Sequence, residues 1–223
     1  MKNLMTAEQL IAFEEDIAQC FNDKMIRAPI HLEFNNEKQL ISVFKDVNED
    51  DWCFCTWRSH YKCLLKGVSQ EELKQSILDG RSISLCFAKQ RIFSSAIVGG
   101  NLSIALGKAM EIKRRGLNEK VWCFLGEMTS TLGQFREVQQ YAMNWDLPIT
   151  FVVEDNTLSV KTNTREVWNS NILPFEPFDY SGKIKYCEDG KVEKNLYQKV
   201  WYYKYNLHEK YPHAGPSGKR IQF

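Results

Sequence analysis

The chain has 223 residues, of which 43% are hydrophobic and 26% charged, which are ordinary values for a globular protein. Lys and Arg together number 29 against 28 Asp and Glu, so the basic excess that is typical of general nucleic-acid or membrane-surface binders is missing. Seven cysteines, no signal-peptide pattern and no apolar run of about 18 residues predict a reduced, cytoplasmic protein.

The first half of the chain predicts several helices and one strand. In chain order these are an amphipathic helix over 6–28 with Thr6 as N-cap, a short helix over 39–44, a buried strand over 52–56 and a helix that opens at Ser69, runs to Leu78 and is ended by Gly80. The last of these opens on a capping-box pattern, in which a Ser is followed three residues later by a Glu. Cys53, Cys55 and Cys63 are a weak candidate for a zinc site because no second CxxC or HxxxH accompanies them.

The middle of the chain predicts a strand–helix–strand unit. Apolar runs at 121–125 and 149–153 are typical of buried parallel strands, and residues 133–145 between them predict a helix. A further helix is predicted over 101–115 and ends at Gly116. Because such crossovers are right-handed and build parallel sheets, we predict an α/β fold, a three-layer sandwich with a mainly parallel sheet and an N-terminal helix.

The composition changes after Trp168, where prolines and a Tyr- and Lys-rich run predict loops and short elements. We therefore expect residues 1–170 to form the α/β domain. Residues 171–223 are expected to form an irregular C-terminal extension that packs on the same domain.

Polar residues follow the two predicted strands of the middle region. Glu127 follows the first strand, and Asn156 follows the second. In α/β sheets, ligands bind beyond the carboxyl ends of the strands, where a carboxylate and an amide oxygen can hold Mg²⁺ with its phosphate ligand. The alternative is that both side chains only cap loops, since polar strand ends are common.

Three segments resemble a known family. Gly126-Glu127-Met128-Thr129, the G-x-F-x-E pattern at 133–137 and the W-x-L-P-I-x-F-V-V-E-x-N pattern at 145–156 resemble the thiamine diphosphate-binding motif of the alpha-type subunits of 2-oxoacid dehydrogenases, and more loosely that of transketolases. Upstream, Thr56-Trp57-Arg58-Ser59-His60 followed by Lys66-Gly67 is similar to the family's Y-R-x-H segment, and 96–100 is similar to its G-I-V-G segment. The resemblance covers about residues 30–168 and implies the thiamine diphosphate-binding fold.

The resemblance implies a role for each matching residue. Glu127 takes the position of the Mg²⁺-binding Asp, Asn156 that of the Mg²⁺-binding Asn, and Leu158 gives its carbonyl oxygen to the metal. Arg58 pairs with the diphosphate, and His60 lies near the same end of the cofactor. Met128 and Thr129 approach the diphosphate through their backbone, and Val98 faces the aminopyrimidine ring in the same way.

The sequence also departs from the family pattern. Glu127 is one methylene longer than the usual Asp, Met128 replaces a Gly, and Trp57 replaces a Tyr. The family's downstream Gly-His segment is not recognisable, and His213 is the only candidate to replace it. His60 and His213 are therefore the candidate catalytic residues.

In this family the Glu that activates the cofactor lies on a second, pyrimidine-binding domain, for which a chain of this length has no room. The resemblance therefore implies a second, beta-type subunit and a two-fold hetero-oligomer, with this chain as the diphosphate- and Mg²⁺-binding subunit of an enzyme acting on a 2-oxo acid or a ketose. Transketolase-like transfer and oxidative decarboxylation both stay open, with a slight preference for the former. A non-catalytic relative that serves in assembly is the alternative, whereas a different nucleotide binder is disfavoured because GxGxxG and GxxxxGK[ST] are missing.

Overall fold

A computed structural model of the chain describes residues 4–170, 191–206, 210–211 and 223. The helices are α1 (Ala7–Asn22), α2 (Glu37–Phe44), α3 (His60–Leu65), α4 (Gln70–Leu78), α5 (Gly100–Arg115), α6 (Glu127–Ser130), α7 (Gly133–Asn144) and α8 (Thr164–Trp168). The strands are β1 (Trp52–Cys55), β2 (Cys86–Phe87), β3 (Ile92–Ser94), β4 (Val121–Gly126), β5 (Ile149–Asp155), β6 (Leu158–Ser159), β7 (Thr162–Asn163), β8 (Glu193–Asn195) and β9 (Val200–Lys204).

Seven of the described strands form one sheet in the order β2-β3-β1-β4-β5-β9-β8. The inner pairs, from β3 to β9, are all parallel, whereas β2 and β8 run antiparallel at the two edges. The predicted strand–helix–strand unit is confirmed, because β4 and β5 are neighbours with Val121 opposite Ile149. Strands β6 and β7 form a separate small hairpin beyond the end of β5.

Alternating side chains of the sheet enter two separate hydrophobic cores. In β1, Cys53 and Cys55 join the core that α1 to α4 cover, whereas Phe54 joins the core under α5 and α7. The same alternation along β4 sends Phe124 to the first core and Cys123 to the second. This period of two, with helices on both faces, confirms the three-layer α/β fold.

Capping residues explain where the predicted helices begin and end. The Thr6 hydroxyl accepts a hydrogen bond from the backbone N–H of Gln9, and the Gln9 side chain accepts one from the backbone N–H of Thr6, which confirms the N-cap. Helix α1 ends at Asn22 rather than at residue 28, because Lys24 adopts a left-handed conformation with φ of 64°. Gly116 ends α5 as predicted, with φ of 63°.

The described part of the C-terminal extension is more regular than the sequence analysis predicted. Residues 193–204 form β8 and β9, and β9 pairs in parallel with β5. Val, Trp and Tyr favour strands, but β9 is buried on both faces and so shows no alternation of polar and apolar residues. The division into a domain over 1–170 and an extension over 171–223 stays a prediction.

Among the described residues, no helix is both long and apolar enough to cross a membrane. Cys53, Cys55 and Cys63 are buried in the first core. Within the described ranges, no group of three or more His, Cys, Asp or Glu side chains is arranged to hold a metal ion, so the weak zinc candidate finds no support.

Candidate active site

A cleft opens at the carboxyl ends of β1, β4 and β5, where the sequence predicted a ligand site. Seven of the predicted residues line it: Arg58, Val98, Glu127, Met128, Thr129, Asn156 and Leu158. They come from four separate segments of the chain, so the fold brings together residues that lie up to 100 positions apart in the sequence (58 to 158). The carboxyl edge of the parallel strands is the common feature that gathers them.

Glu127 is the first residue of α6 and is almost fully buried. The Thr164 hydroxyl donates a hydrogen bond to its Oε1 over 3.3 Å. Burial raises the pKa of Glu127 to about 8, and the nearby Asp155 adds to the rise, while Arg165 opposes it. A divalent cation beside this carboxylate would favour the ionised form, because opposite charge lowers the pKa of an acid.

Asn156 and Leu158 form a tight turn at the end of β5. The Leu158 backbone N–H donates to Asn156 Oδ1 over 3.0 Å, and Asn156 Nδ2 donates to the Tyr205 hydroxyl over 3.2 Å. Thr157 between them has a φ of 64°, which is uncommon for a β-branched residue. Strained backbone of this kind is concentrated at functional sites.

Two donors in the β1–α3 connection have no partner among the described residues. Both Arg58 Nε and Trp57 Nε1 are buried without a hydrogen-bond acceptor. Unsatisfied buried donors cost free energy, and they are uncommon in folded proteins outside sites that a ligand completes. Both residues line the cleft, so an anion bound there would satisfy them.

The replacement of the family's Gly by Met128, on the short helix α6, has a simple explanation. Met128 lies in helical backbone and is not among the described residues with positive φ, so it needs no glycine. Thr129 is buried beside it, and both line the cleft. Val98 is half exposed at the mouth of the cleft, next to Gly99 with its left-handed φ of 75°.

The structure does not bring His60 to the cleft. Its ring is fully buried, with Nδ1 at 3.0 Å from a Glu14 carboxylate oxygen and Nε2 at 2.9 Å from the Ser82 hydroxyl. Arg58 lies in the connection before α3, whereas His60 is the first residue of the helix. His60 is not among the residues that line the cleft, so the structure does not support its predicted place beside the cofactor. His213 lies outside the described residues.

Glu154 and Tyr205 also line the cleft and were not singled out in the sequence. Glu154 is buried and accepts hydrogen bonds from Lys62 and Tyr203. The W-x-L-P-I-x-F-V-V-E-x-N pattern contained Glu154, and its place directly before the strand end was a usable signal. Tyr205 follows β9, so only recognition of that strand could have placed it here.

Comparison with known proteins agrees with this geometry. The sequence profile of the family described as "Dehydrogenase E1 component" matches residues 5–173. The chain belongs to this family. The match confirms the resemblance to alpha-type subunits of thiamine diphosphate-dependent 2-oxoacid dehydrogenases.

Individual relatives are distant in sequence. The alpha subunit of acetoin:2,6-dichlorophenolindophenol oxidoreductase from Bacillus subtilis is 26% identical over 199 residues, which cover 84% of this chain and 55% of the relative. The subunit of the same name from Cupriavidus necator is 28% identical over 161 residues (68% and 48%). The pyruvate dehydrogenase E1 component subunit alpha of Porphyra purpurea is 27% identical over 165 residues (66% and 48%). The chain thus spans about half the length of the curated relatives it matches.

Proposed function

We propose that this chain is the diphosphate- and Mg²⁺-binding subunit of a two-chain, thiamine diphosphate-dependent enzyme that acts on a 2-oxo acid. The observation that carries the proposal is the convergence of seven predicted ligands on one cleft, together with the unpartnered Nε of Arg58 inside it. The buried N–H donors of Trp57 and Arg58 lie in the same cleft as the carboxylates of Glu127 and Glu154. This combination suits an anion that binds together with a cation.

Mg²⁺ would be held by the Glu127 carboxylate, the Asn156 amide oxygen and the Leu158 carbonyl oxygen. These are hard oxygen ligands, and phosphate and water oxygens complete the usual set of six. Thr164 orients the Glu127 carboxylate through its hydroxyl group. Glu127 is one methylene longer than the family's Asp and is the first residue of α6.

The diphosphate would lie against the β1–α3 connection. Arg58 offers a charged fork of N–H donors, which suits phosphate oxygens, and the buried indole N–H of Trp57 is a further donor beside it. Thiamine diphosphate, when bound, supplies a thiazolium carbon that attacks a carbonyl substrate. The chain's own part is to bind the cofactor, orient it and bury its charged end.

The activating Glu would come from a second, beta-type chain in a two-fold hetero-oligomer. The relatives support this point, since their names describe them as alpha subunits. Those names also mention acetoin, which is a small hydroxyketone, and pyruvate, which is a 2-oxo acid; the pyruvate-named relative supports a 2-oxo acid as the substrate. The six described cysteines form no disulfide, which supports a reducing, cytoplasmic setting.

A non-catalytic assembly subunit is the second candidate. It is favoured by Glu127 in place of Asp and by a raised pKa that leaves this carboxyl largely protonated without a cation. In that case the family fold and its partner surface would be kept while the metal site was lost.

Isothermal titration with thiamine diphosphate and Mg²⁺ separates the two candidates. We expect binding that needs Mg²⁺, is strengthened by the co-expressed partner chain and is lost in Asn156→Ala. Asn144→Ala is the matched control, because Asn144 is an exposed Asn at the end of α7, outside the residues that line the cleft. A stable two-chain complex that binds no cofactor would overturn the catalytic proposal in favour of the assembly role.

A further inference from the structure

The molecule contains a fully buried lysine directly beneath the cleft. Lys62 lies on α3 with none of its side chain exposed. Its ammonium group contacts a Glu33 carboxylate oxygen, reaches Glu154 Oε1 over 2.9 Å and donates to the Arg58 carbonyl over 3.0 Å. An ammonium group has three N–H bonds, so all three are used.

The three acceptors belong to segments that are distant in the sequence. Arg58 is in the connection that carries the proposed diphosphate ligands, and Glu154 is on β5, two residues before the proposed metal ligand Asn156. Glu33 lies between α1 and α2, and its second oxygen accepts from the Tyr61 backbone at the start of α3 over 2.8 Å. One ammonium group therefore joins the two walls of the cleft to the N-terminal part of the chain.

Lys62 stays charged in this position. Burial alone would lower its pKa, but the carboxylates of Glu154 and Glu33 raise the pKa above its usual value. If either carboxylate moved away from the ammonium group, it would be a buried carboxylate without a nearby cation, which is costly in free energy. The link between the walls is therefore stiff as well as short.

We propose that Lys62 is a positioning residue, which fixes the Arg58 wall and the Glu154 wall of the cleft relative to each other. The Arg58 wall consists of residues 56–59 and the Glu154 wall of residues 154–158. That the positioned groups bind a diphosphate rests on the proposed function, whereas the tie between the walls does not.

Hydrogen exchange of the free full-length chain tests the tie without any ligand. In Lys62→Met we expect amide exchange in both walls together to rise by roughly tenfold more than in β4, the strand between them, which opens only with global unfolding. The matched control is Lys66→Met, because Lys66 is another buried lysine, and its ammonium group donates to the backbone carbonyls of Asn48 and Glu49 in the loop after α2. That control should raise exchange near residues 46–50 and leave both walls unchanged.

If Lys62→Met does not fold, the triple variant Glu33→Gln/Lys62→Met/Glu154→Gln gives the same test. Neutral replacement of a whole buried charge cluster is often tolerated, so this chain should fold while the tie is missing. Exchange that rises in only one wall, or evenly over the whole sheet, would overturn the proposal, because a purely structural lysine predicts that result.

Titration with thiamine diphosphate and Mg²⁺ then measures what the tie does for binding. We expect the dissociation constant to increase by roughly tenfold or more in Lys62→Met and to stay within about twofold in Lys66→Met. If the wild-type complex bound no thiamine diphosphate, the proposed function would be overturned. The exchange experiment would then decide alone whether Lys62 links the two walls. Equal binding by wild type and Lys62→Met, with unchanged walls, would overturn the role of Lys62 and leave the proposed function standing.

Discussion

Two neighbouring carboxylates at the end of β5 serve opposite faces of the sheet. Glu154 accepts a hydrogen bond from Tyr203 over 2.5 Å and pairs with Lys62, whereas Asp155 accepts one from Tyr202 over 2.5 Å and pairs with Arg165. Consecutive strand residues point to opposite faces, so each acid is matched by a tyrosine of β9 and a cation from a helix.

The two clusters differ in how far water reaches them. Lys62 is fully buried and serves two carboxylates, whereas the Arg165 side chain is 11% exposed and serves one carboxylate as well as the Thr164 hydroxyl. Arg165 also lies over the Trp168 ring at 5.6 Å. The same arrangement of acid, phenol and cation therefore has a fully buried cation on one face of the sheet and a partly exposed cation on the other. The free-energy cost of removing the cation should differ accordingly.

The largest effect is expected from Lys62→Met. Removing the cation leaves two buried carboxylates without compensation, which should lower the free energy of unfolding by about 3–5 kcal/mol. Equilibrium unfolding in urea measures the loss. Lys66→Met, which removes a cation that contacts backbone carbonyls, should cost no more than about 2 kcal/mol, and equal losses in the two variants would contradict the buried-cluster explanation.

Arg165→Met should cost less than Lys62→Met, at about 2 kcal/mol, because water can partly solvate Asp155 once the arginine is gone. Asp155 also keeps its hydrogen bonds from Tyr202 and from the Thr157 backbone. The same urea titration measures this difference. A loss as large as that of Lys62→Met would show that the two clusters are equally sealed.

The smallest effects are expected from the two tyrosines. Tyr202→Phe and Tyr203→Phe each remove one hydroxyl donor to a carboxylate that keeps its cation, so each should cost roughly 1–2 kcal/mol. Parallel thermal unfolding of both variants compares them directly. Losses of unfolding free energy that agree within about 0.5 kcal/mol would support equivalent roles for the two hydroxyl groups. Destabilisation of only one variant would contradict them.

Local signals in the sequence were sufficient for much of the fold. The caps at Thr6 and Gly116 and the apolar runs of β4 and β5 act within a few residues, so their patterns could be interpreted without the tertiary structure. The proposed metal and diphosphate ligands were also predicted, because the motif keeps its order along the chain and the sheet gathers its members at one edge.

What the sequence missed depends on contacts between distant segments. A lysine within a helix predicts a solvent-exposed side chain, and only the approach of Glu33 and Glu154 makes Lys62 a buried cation. His60 was expected near the diphosphate because it matches the family's Y-R-x-H segment, but its ring at the start of α3 contacts Glu14. Strand β9 was missed because it shows no alternating pattern.

The position of β9 has a consequence for the order in which the sheet forms during synthesis. Its partner β5 ends at Asp155 and β9 begins at Val200, so the residues from 156 to 199 separate two strands that lie side by side. Closing a loop of this length costs about 3 kcal/mol in chain entropy, which delays such pairings during folding. On the ribosome, β5 therefore has an edge of unpaired backbone N–H and C=O groups until Lys204 has emerged. Tyr205 follows the strand that covers this edge, so the pairing of β9 with β5 also places Tyr205 at the cleft.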